Sequence, residues 1–245
     1  KRRRINAVLY FLRKVVQKYK NINTTIFCDL NDWSNKDVNM NEEPIFVFSA
    51  NKNTNNFVIP DYLFLNDYSK NSGRNSDKDS HDNMVLKYRD KIKFEDKKSK
   101  CFFRAGTCKN NKIIRMFNNT EYVDACSSQK NWISYEDMFK HRYVISHYMK
   151  WDSVYYFLKS DILTFMYSGF NTYLWYDVFL KDNVHYCSFK TIDEFNKHFE
   201  YYENNIDKAK EMIEKSSKIV DDFFNMDTAI DYMGFLLLKY QKLVI

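Results

Sequence analysis

Two stretches hold residues whose types and spacing could do chemistry. The first is Lys100-Cys-Phe-Phe-Arg-Ala-Gly-Thr-Cys-Lys-Asn-Asn-Lys-Ile-Ile-Arg-Met-Phe, residues 100–117. Cys101, Phe102 and Phe103 predict the end of a short buried strand, Ala105-Gly106-Thr107 a small-residue turn, and Ile113, Ile114, Met116 and Phe117 a helix. An arginine, Arg104, at the carboxyl end of a strand and before a helix suits a diphosphate. The guanidinium and the free amides of a helix start both donate to it. An ordinary βα turn with a surface arginine is the plain alternative, because neither a P-loop nor a GxGxxG pattern is complete here. The second stretch is Thr25-Ile-Phe-Cys-Asp-Leu-Asn-Asp-Trp-Ser. Ile26, Phe27 and Cys28 predict a buried strand, and Asp29 to Ser34 the loop at its carboxyl end. That loop sets Asp32 beside Trp33. A carboxylate next to an aromatic at such a mouth suits a general base against a sugar hydroxyl; an Asx turn or a helix cap is the alternative.

These groups need a frame to hold them. Ile5, Val8, Leu9, Leu12, Val15, Val16 and Tyr19 share one helical face and predict a helix over 5–20. The Arg2-Arg3-Arg4 cluster at its start is either a solvated end or part of an anion pocket. Pro44-Ile-Phe-Val-Phe-Ser-Ala predicts a strand followed by a small-residue loop that contains Ser49. Val85 to Phe94 predicts a short helix, and Glu121 to Cys126, Tyr143 to Ser146 and Val184 to Phe189 predict strands. Val154 to Phe165 predicts a helix running into a strand, and residues 191–240 are helical, with starts near Asp193-Glu194 and Asp227 and a break at 225–228. Alternating strands and helices argue for α/β with mainly parallel sheets. Residues 66–83 are polar and charge-mixed, and predict a loop. The Asp77-Lys78-Asp79 triplet inside it lacks the apolar strand that metal-binding D-x-D motifs follow.

Composition narrows the classes. A chain of 245 residues holds one large or two small domains. Aromatic residues at 18 % supply a sizeable core, and beyond core packing Trp33, Tyr62 and Trp175 are candidates for stacking on a sugar face. A net charge of +6, spread along the chain and mixed with acids, is compatible with an anionic ligand and shows no single basic stripe for nucleic acid. The five cysteines lack CxxC pairing and the five histidines lack ligand spacing, so no metal site is expected, and Cys28 and Cys101 read as reduced core residues. No apolar run reaches the length of a membrane span. The residues carry no signature of oligomeric state.

In order along the chain, Asn31-Asp32-Trp33, Pro44-Ile-Phe-Val-Phe-Ser, Pro60-Asp-Tyr-Leu-Phe, Phe103-Arg104-Ala-Gly-Thr, Tyr122-Val-Asp-Ala, Leu158-Lys-Ser-Asp-Ile-Leu, Val184-His-Tyr-Cys-Ser-Phe and Phe224-Asn-Met-Asp resemble the capsule-associated protein and protein O-glucosyltransferase family. The resemblance implies a GT-B fold of two Rossmann-like domains facing a cleft. Residues 1–95 would form the acceptor half and 96–225 the nucleotide-sugar half, with 226–245 a terminal helix crossing back onto the first. It implies an inverting, UDP-sugar-dependent glycosyltransferase that needs no tightly held cofactor and no metal, and that acts on a glycan or glycoprotein acceptor. Xylose is favoured as the sugar and glucose comes next.

Carried onto matching positions, the resemblance makes Asp32 the catalytic base. Arg104, the amides of Ala105, Gly106 and Thr107, and Lys112 or Arg115 hold the leaving diphosphate. Trp33, Ser49 and Arg4 face the acceptor or sugar. Two departures stand out. Ala105 replaces the glycine usual after the arginine. Met149-Lys-Trp-Asp-Ser-Val puts Asp152 where a second donor-binding arginine is usual, so Lys150 substitutes for that arginine or Asp152 binds a sugar hydroxyl. A microbial or large-DNA-virus enzyme in the cytoplasm is the expectation, with the secretory pathway left open because the chain starts without Met. Two other classes compete: a catalytically degenerate scaffold of the same fold, and a single-stranded nucleic-acid-binding module.

Overall fold

The computed structural model describes residues 2–31, 44–61, 64–65, 85–105, 116–117, 120–127, 135–146, 151–169 and 172–244. The chain divides into two compact units, each described by itself. The first comprises Lys1–Ser80, Asn171–Phe179 and Asp222–Ile245; the second comprises His81–Phe170 and Leu180–Asp221.

The second unit is built on a five-stranded parallel sheet. Its strands are β5 (Lys98–Ala105), β6 (Val123–Ser127), β7 (His141–Ser146), β8 (Leu163–Tyr167) and β10 (Cys187–Phe189), and their spatial order is β10-β8-β7-β5-β6. Counted from β5 as first strand, this is the doubly wound order 2-1-3-4-5. Parallel strands need crossovers that cover both faces, so central strands are apolar without alternation. Each residue of β8 is buried, as are five of the six in β7.

One face of this sheet packs on α4 (Ile192–Asn204) and α5 (Ile206–Phe223). Their helical spacing delivers Phe195, Phe199, Tyr202, Ala209, Met212 and Ile213 to Cys101, Phe103, Tyr143, Phe165 and Phe189. Ring pairs lock the contact: Phe117–Phe195 at 4.9 Å, Tyr143–Phe199 at 5.1 Å and Phe165–Phe195 at 5.3 Å between centroids. The helix α3 (Trp151–Lys159) packs on β7 and β8. The short helix α2 (Tyr135–Met138) precedes β7. Thr191 caps α4 by accepting from the Glu194 amide at 3.2 Å, and the Glu194 carboxylate accepts from the Lys190 amide at 2.7 Å.

The first unit holds a small parallel sheet, β1 (Cys28–Asp29), β2 (Phe46–Val47) and β4 (Phe57–Val58), in that spatial order. A separate antiparallel pair joins β3 (Ala50–Asn51) to β9 (Thr172–Tyr173). Among the described residues, the unit also holds the helices α1 (Arg2–Lys18) and α6 (Met226–Gln241), which pack against each other. Asn225 caps α6 by accepting from the Thr228 amide at 2.9 Å.

Three expectations need correction. The first strand is Cys28–Asp29 only, with Phe27 at 58 % exposure and Cys28 exposed, so Cys28 is not a core residue. The predicted helix over 85–94 shrinks to one turn at 85–88 and a 3-10 turn at Phe94–Asp96. Trp175, a candidate for stacking on a sugar, is fully buried among Phe64, Phe179, Phe224 and Tyr232. The charged triplet at 77–79 lies outside the described residues.

Candidate active site

In an open parallel sheet, ligands bind beyond the carboxyl ends of the strands, where the winding reverses. In the second unit that place is the border between β5 and β7. The two strands pair directly, with Cys101 opposite Tyr143 and Phe102 opposite Val144. The chain therefore leaves β5 after Ala105 and β7 after Ser146 at neighbouring points of one sheet edge. Arg104 lies opposite Cys126, and Ala105 opposite Ser127, on the other neighbour, β6. The two segments expected to hold a diphosphate, 104–107 and 150–152, thus start from adjacent strand ends although some 45 residues apart. The helix α3 begins at Trp151, soon after β7, so its first-turn amides belong to the same edge.

For Arg104, Ala105 and Asp152 the backbone is described: the first two end β5 and the third is in the first turn of α3. Gly106, Thr107, Lys112, Arg115 and Lys150 lie outside the described residues, as do Asp32 and Trp33.

The first unit repeats the logic on a smaller scale. Cys28 pairs with Phe46 and Asp29 with Val47, so the loops after β1 and β2 leave neighbouring strand ends. Ser49 stands two residues beyond β2, half-buried. Among the described residues, three hydrogen bonds hold the loop after β1. The Asp29 carboxylate accepts from the Asn31 amide at 3.1 Å and from its side-chain amide at 2.6 Å, an Asx turn. Arg4 Nη1 donates to the Leu30 carbonyl oxygen at 3.0 Å. The backbone is fixed up to the residue before Asp32. The Asx turn raised as an alternative for Asp32 falls outside the described residues, whereas one does form at Asp29, where the Asp-x-Asn spacing signals it. Arg4 was expected to face a sugar or acceptor, and its guanidinium reaches this loop.

Other sequence motifs serve the frame. Lys97 Nζ meets the Asp161 carboxylate at 2.7 Å and donates to the Asp161 carbonyl oxygen at 3.0 Å. These residues precede β5 and β8, so the Leu158–Leu163 motif lies at the amino edge of the sheet, away from the candidate site. In the Tyr122–Ala125 motif, Tyr122 stacks on Phe199 at 4.6 Å, and Asp124 Oδ2 stands 3.3 Å from His141 Nε2. In the motif ending at Phe189, the Asp182 carboxylate accepts from the amide and hydroxyl of Ser188 at 2.8 and 2.6 Å. Burial pushes the Cys187 thiol up to about 12 and the Cys101 thiol far above its usual value, so neither is a nucleophile near neutral pH. Among the described residues, no three His, Cys, Asp or Glu side chains gather to hold a metal ion.

Strand ends that pair across a switch point, on a chain whose ordered motifs run from residue 31 to 227, call for a comparison with known families. A family model described as glycosyl transferase family 90 matches residues 2–245. The chain belongs to glycosyl transferase family 90. No curated protein matches the chain. Membership makes this a glycosyltransferase-family chain, with a sugar donor and an acceptor as its implied partners. Among the described residues of this family 90 chain, no helix is long and apolar enough to cross a membrane.

Proposed function

We propose that this chain is an inverting glycosyltransferase that moves a sugar from a UDP-sugar to a hydroxyl of a glycan or glycoprotein. The observation that carries the reading is the β5–β7 border. It brings the Arg104 strand end beside the strand end that precedes Lys150, Asp152 and the α3 amino terminus. A diphosphate at that edge meets a guanidinium and helix amides together, and both stabilise the charge that develops on a departing UDP.

In the proposed reaction, the acceptor oxygen attacks C1 of the sugar as the bond from C1 to the diphosphate oxygen breaks. That bond's electron pair leaves with UDP. The acceptor's hydroxyl proton passes to the Asp32 carboxylate. Arg104, the amides of Ala105, Gly106 and Thr107, and Lys112 or Arg115 hold the diphosphate. Lys150 supplies a further cation, without the two-pronged geometry of an arginine. Asp152 accepts from a donor-sugar hydroxyl. Trp33, Ser49 and Arg4 lie on the acceptor side. Residues 1–95 serve the acceptor and 96–225 the donor in a GT-B arrangement, with 226–245 returning to the first part. Xylose is the favoured sugar and glucose the second, with no metal required, in a cytoplasmic enzyme of microbial or large-virus origin.

Release of UDP from UDP-xylose and UDP-glucose, with and without a glycan acceptor, tests the reading. Acceptor-stimulated release supports it, together with a raised melting temperature in UDP by linkage. A chain that binds no uridine nucleotide and turns over neither donor overturns it.

A further inference from the structure

The helix α1 carries two apolar stripes. One, through Val8, Phe11 and Val15, is buried in the first unit. The other runs through Ile5, Leu9, Leu12 and Val16 at steps of four, three and four, which places these residues on a single face. Ile5, Leu9 and Val16 are 46 %, 48 % and 43 % exposed. Arg2 and Arg13 are exposed in line with Leu9 and Val16. The 17 residues of α1 include six Lys and Arg and no Asp or Glu, so the helix alone carries a charge equal to the +6 of the entire chain. The even mixing of charge expected from the sequence therefore fails at α1.

We propose that the outer face of α1 is a membrane-docking surface that lies on an anionic lipid bilayer, with Ile5, Leu9 and Val16 entering the headgroup boundary. Charge decides the occupant. A second copy of the chain meeting this face about a two-fold axis would set Arg2 and Arg13 against their own counterparts, and α1 itself supplies no acid to offset them. A nucleic acid or an acidic glycan would satisfy the cations and leave the apolar stripe in water. An anionic membrane takes both: phosphate and carboxylate headgroups meet Arg2, Arg13 and their neighbours, and the acyl boundary covers the stripe. The 17 residues span about 25 Å, long enough for a helix lying in the interface plane. Resting on the proposed glycosyltransferase reading, such docking would hold the enzyme near membrane-borne acceptors.

Co-sedimentation of the full chain with phosphatidylcholine vesicles, with and without phosphatidylserine, is the test. Binding is expected with phosphatidylserine only, and falls as salt rises. Leu9→Ser with Val16→Ser changes only exposed side chains and is expected to weaken vesicle binding about tenfold or more, with an unchanged melting temperature. Leu9→Trp keeps the stripe apolar and is expected to tighten binding, because tryptophan favours the interface. Arg2→Gln with Arg13→Gln is expected to lower binding and flatten its salt dependence. Failure to bind phosphatidylserine vesicles at low salt overturns the proposal. So does a double serine variant that binds them as the parent does, since charge alone then suffices. Tight heparin binding without vesicle binding would assign the face to a polyanion instead.

Discussion

Arg4 donates from Nη1 to the carbonyl oxygen of Leu30 over 3.0 Å, tying the first turn of α1 to the loop that leaves β1. Asp29 tightens the same loop from within by accepting from Asn31. A general base must be held to a fraction of an ångström, and its precision comes from groups that fix its backbone. Arg4→Ala is expected to cost about 1 kcal/mol of stability, discounted for partial exposure from the usual worth of a charged hydrogen bond. The turnover number should fall several-fold while UDP affinity stays unchanged. Isothermal calorimetry with UDP beside steady-state kinetics checks this. A loss of UDP affinity would instead put Arg4 on the donor.

Much of the frame was legible in the sequence because its signals are periodic. The spacing of Phe195, Phe199 and Tyr202, and of Ala209, Met212 and Ile213, belongs to helices with one buried face, and these pack on the sheet. The run Leu163 to Tyr167, apolar but for Thr164 and buried throughout, belongs to a central parallel strand. Helix starts were read from the acids Asp193 and Asp227, whereas the caps are Thr191 and Asn225, because a cap is defined by its backbone and not by charge. Phe27 and Trp175 misled in opposite directions. The β1 pairing is too short to bury Phe27, and Trp175 sits among rings drawn from residues far apart in sequence. The Arg4 contact spans 26 residues and follows no local rule, so the sequence offered an arginine cluster without its target. That the β5 and β7 strand ends are neighbours was implied only through the family resemblance and by no local pattern, since strand order is a property of the assembled sheet.

Asp32→Asn is expected to fold normally and bind UDP as the parent does, while sugar transfer drops about 10²- to 10⁴-fold, the range general-base catalysis contributes. Thermal melting, calorimetry and a UDP-release assay together isolate the proton step. Full transfer activity in this variant would remove Asp32 from the reaction.

Arg104→Ala is expected to weaken UDP binding about ten- to a hundredfold, the loss of a charge-assisted contact to phosphate. Arg104→Lys should recover only part of it, because an ammonium cannot make the paired contact of a guanidinium. Calorimetry with UDP and with uridine separates the roles: uridine affinity should not change. Equal losses for both ligands would mean that Arg104 supports the loop and does not touch the diphosphate.

The buried pair of Lys97 and Asp161 gives a pH-dependent prediction. The Lys97 side chain is 1 % exposed, and burial holds its ammonium below the usual 10.5, opposed by the Asp161 carboxylate. Asp161 also accepts from the Asp90 amide at 3.0 Å. Asp161→Asn leaves the ammonium buried without its counter-charge and is expected to cost about 3–5 kcal/mol. It should also lower the Lys97 pKa further. Between that lowered value and 10.5 the unfolded chain binds more protons than the folded one, so stability rises with pH in this window. Urea midpoints measured from pH 7 upward should climb more steeply in Asp161→Asn than in the parent, and the extra slope should vanish in Lys97→Met.

Gly234 lies in the middle of α6 where the Tyr19 ring crosses it, and a β-carbon there would come within 2.4 Å of two ring atoms. The ring has little freedom to yield. Its hydroxyl donates to Asp231 at 2.7 Å, and it forms an edge-to-face pair with the Phe235 ring at 5.8 Å between centroids. Lys18 holds the same Asp231 carboxylate at 2.5 Å. An alanine in an open helix position would stabilise by about 1 kcal/mol over glycine. Overpacking here costs about 1–3 kcal/mol and outweighs that gain. Gly234→Ala is therefore expected to lower the melting temperature by a few degrees. The cause is separable from helix propensity by a double-mutant cycle. In a Tyr19→Ser background the crossing ring is gone, and Gly234→Ala should then be neutral or stabilising, which gives a coupling of about 1–3 kcal/mol. Additive effects in the cycle would show that the close approach of α1 to α6 does not depend on the missing β-carbon.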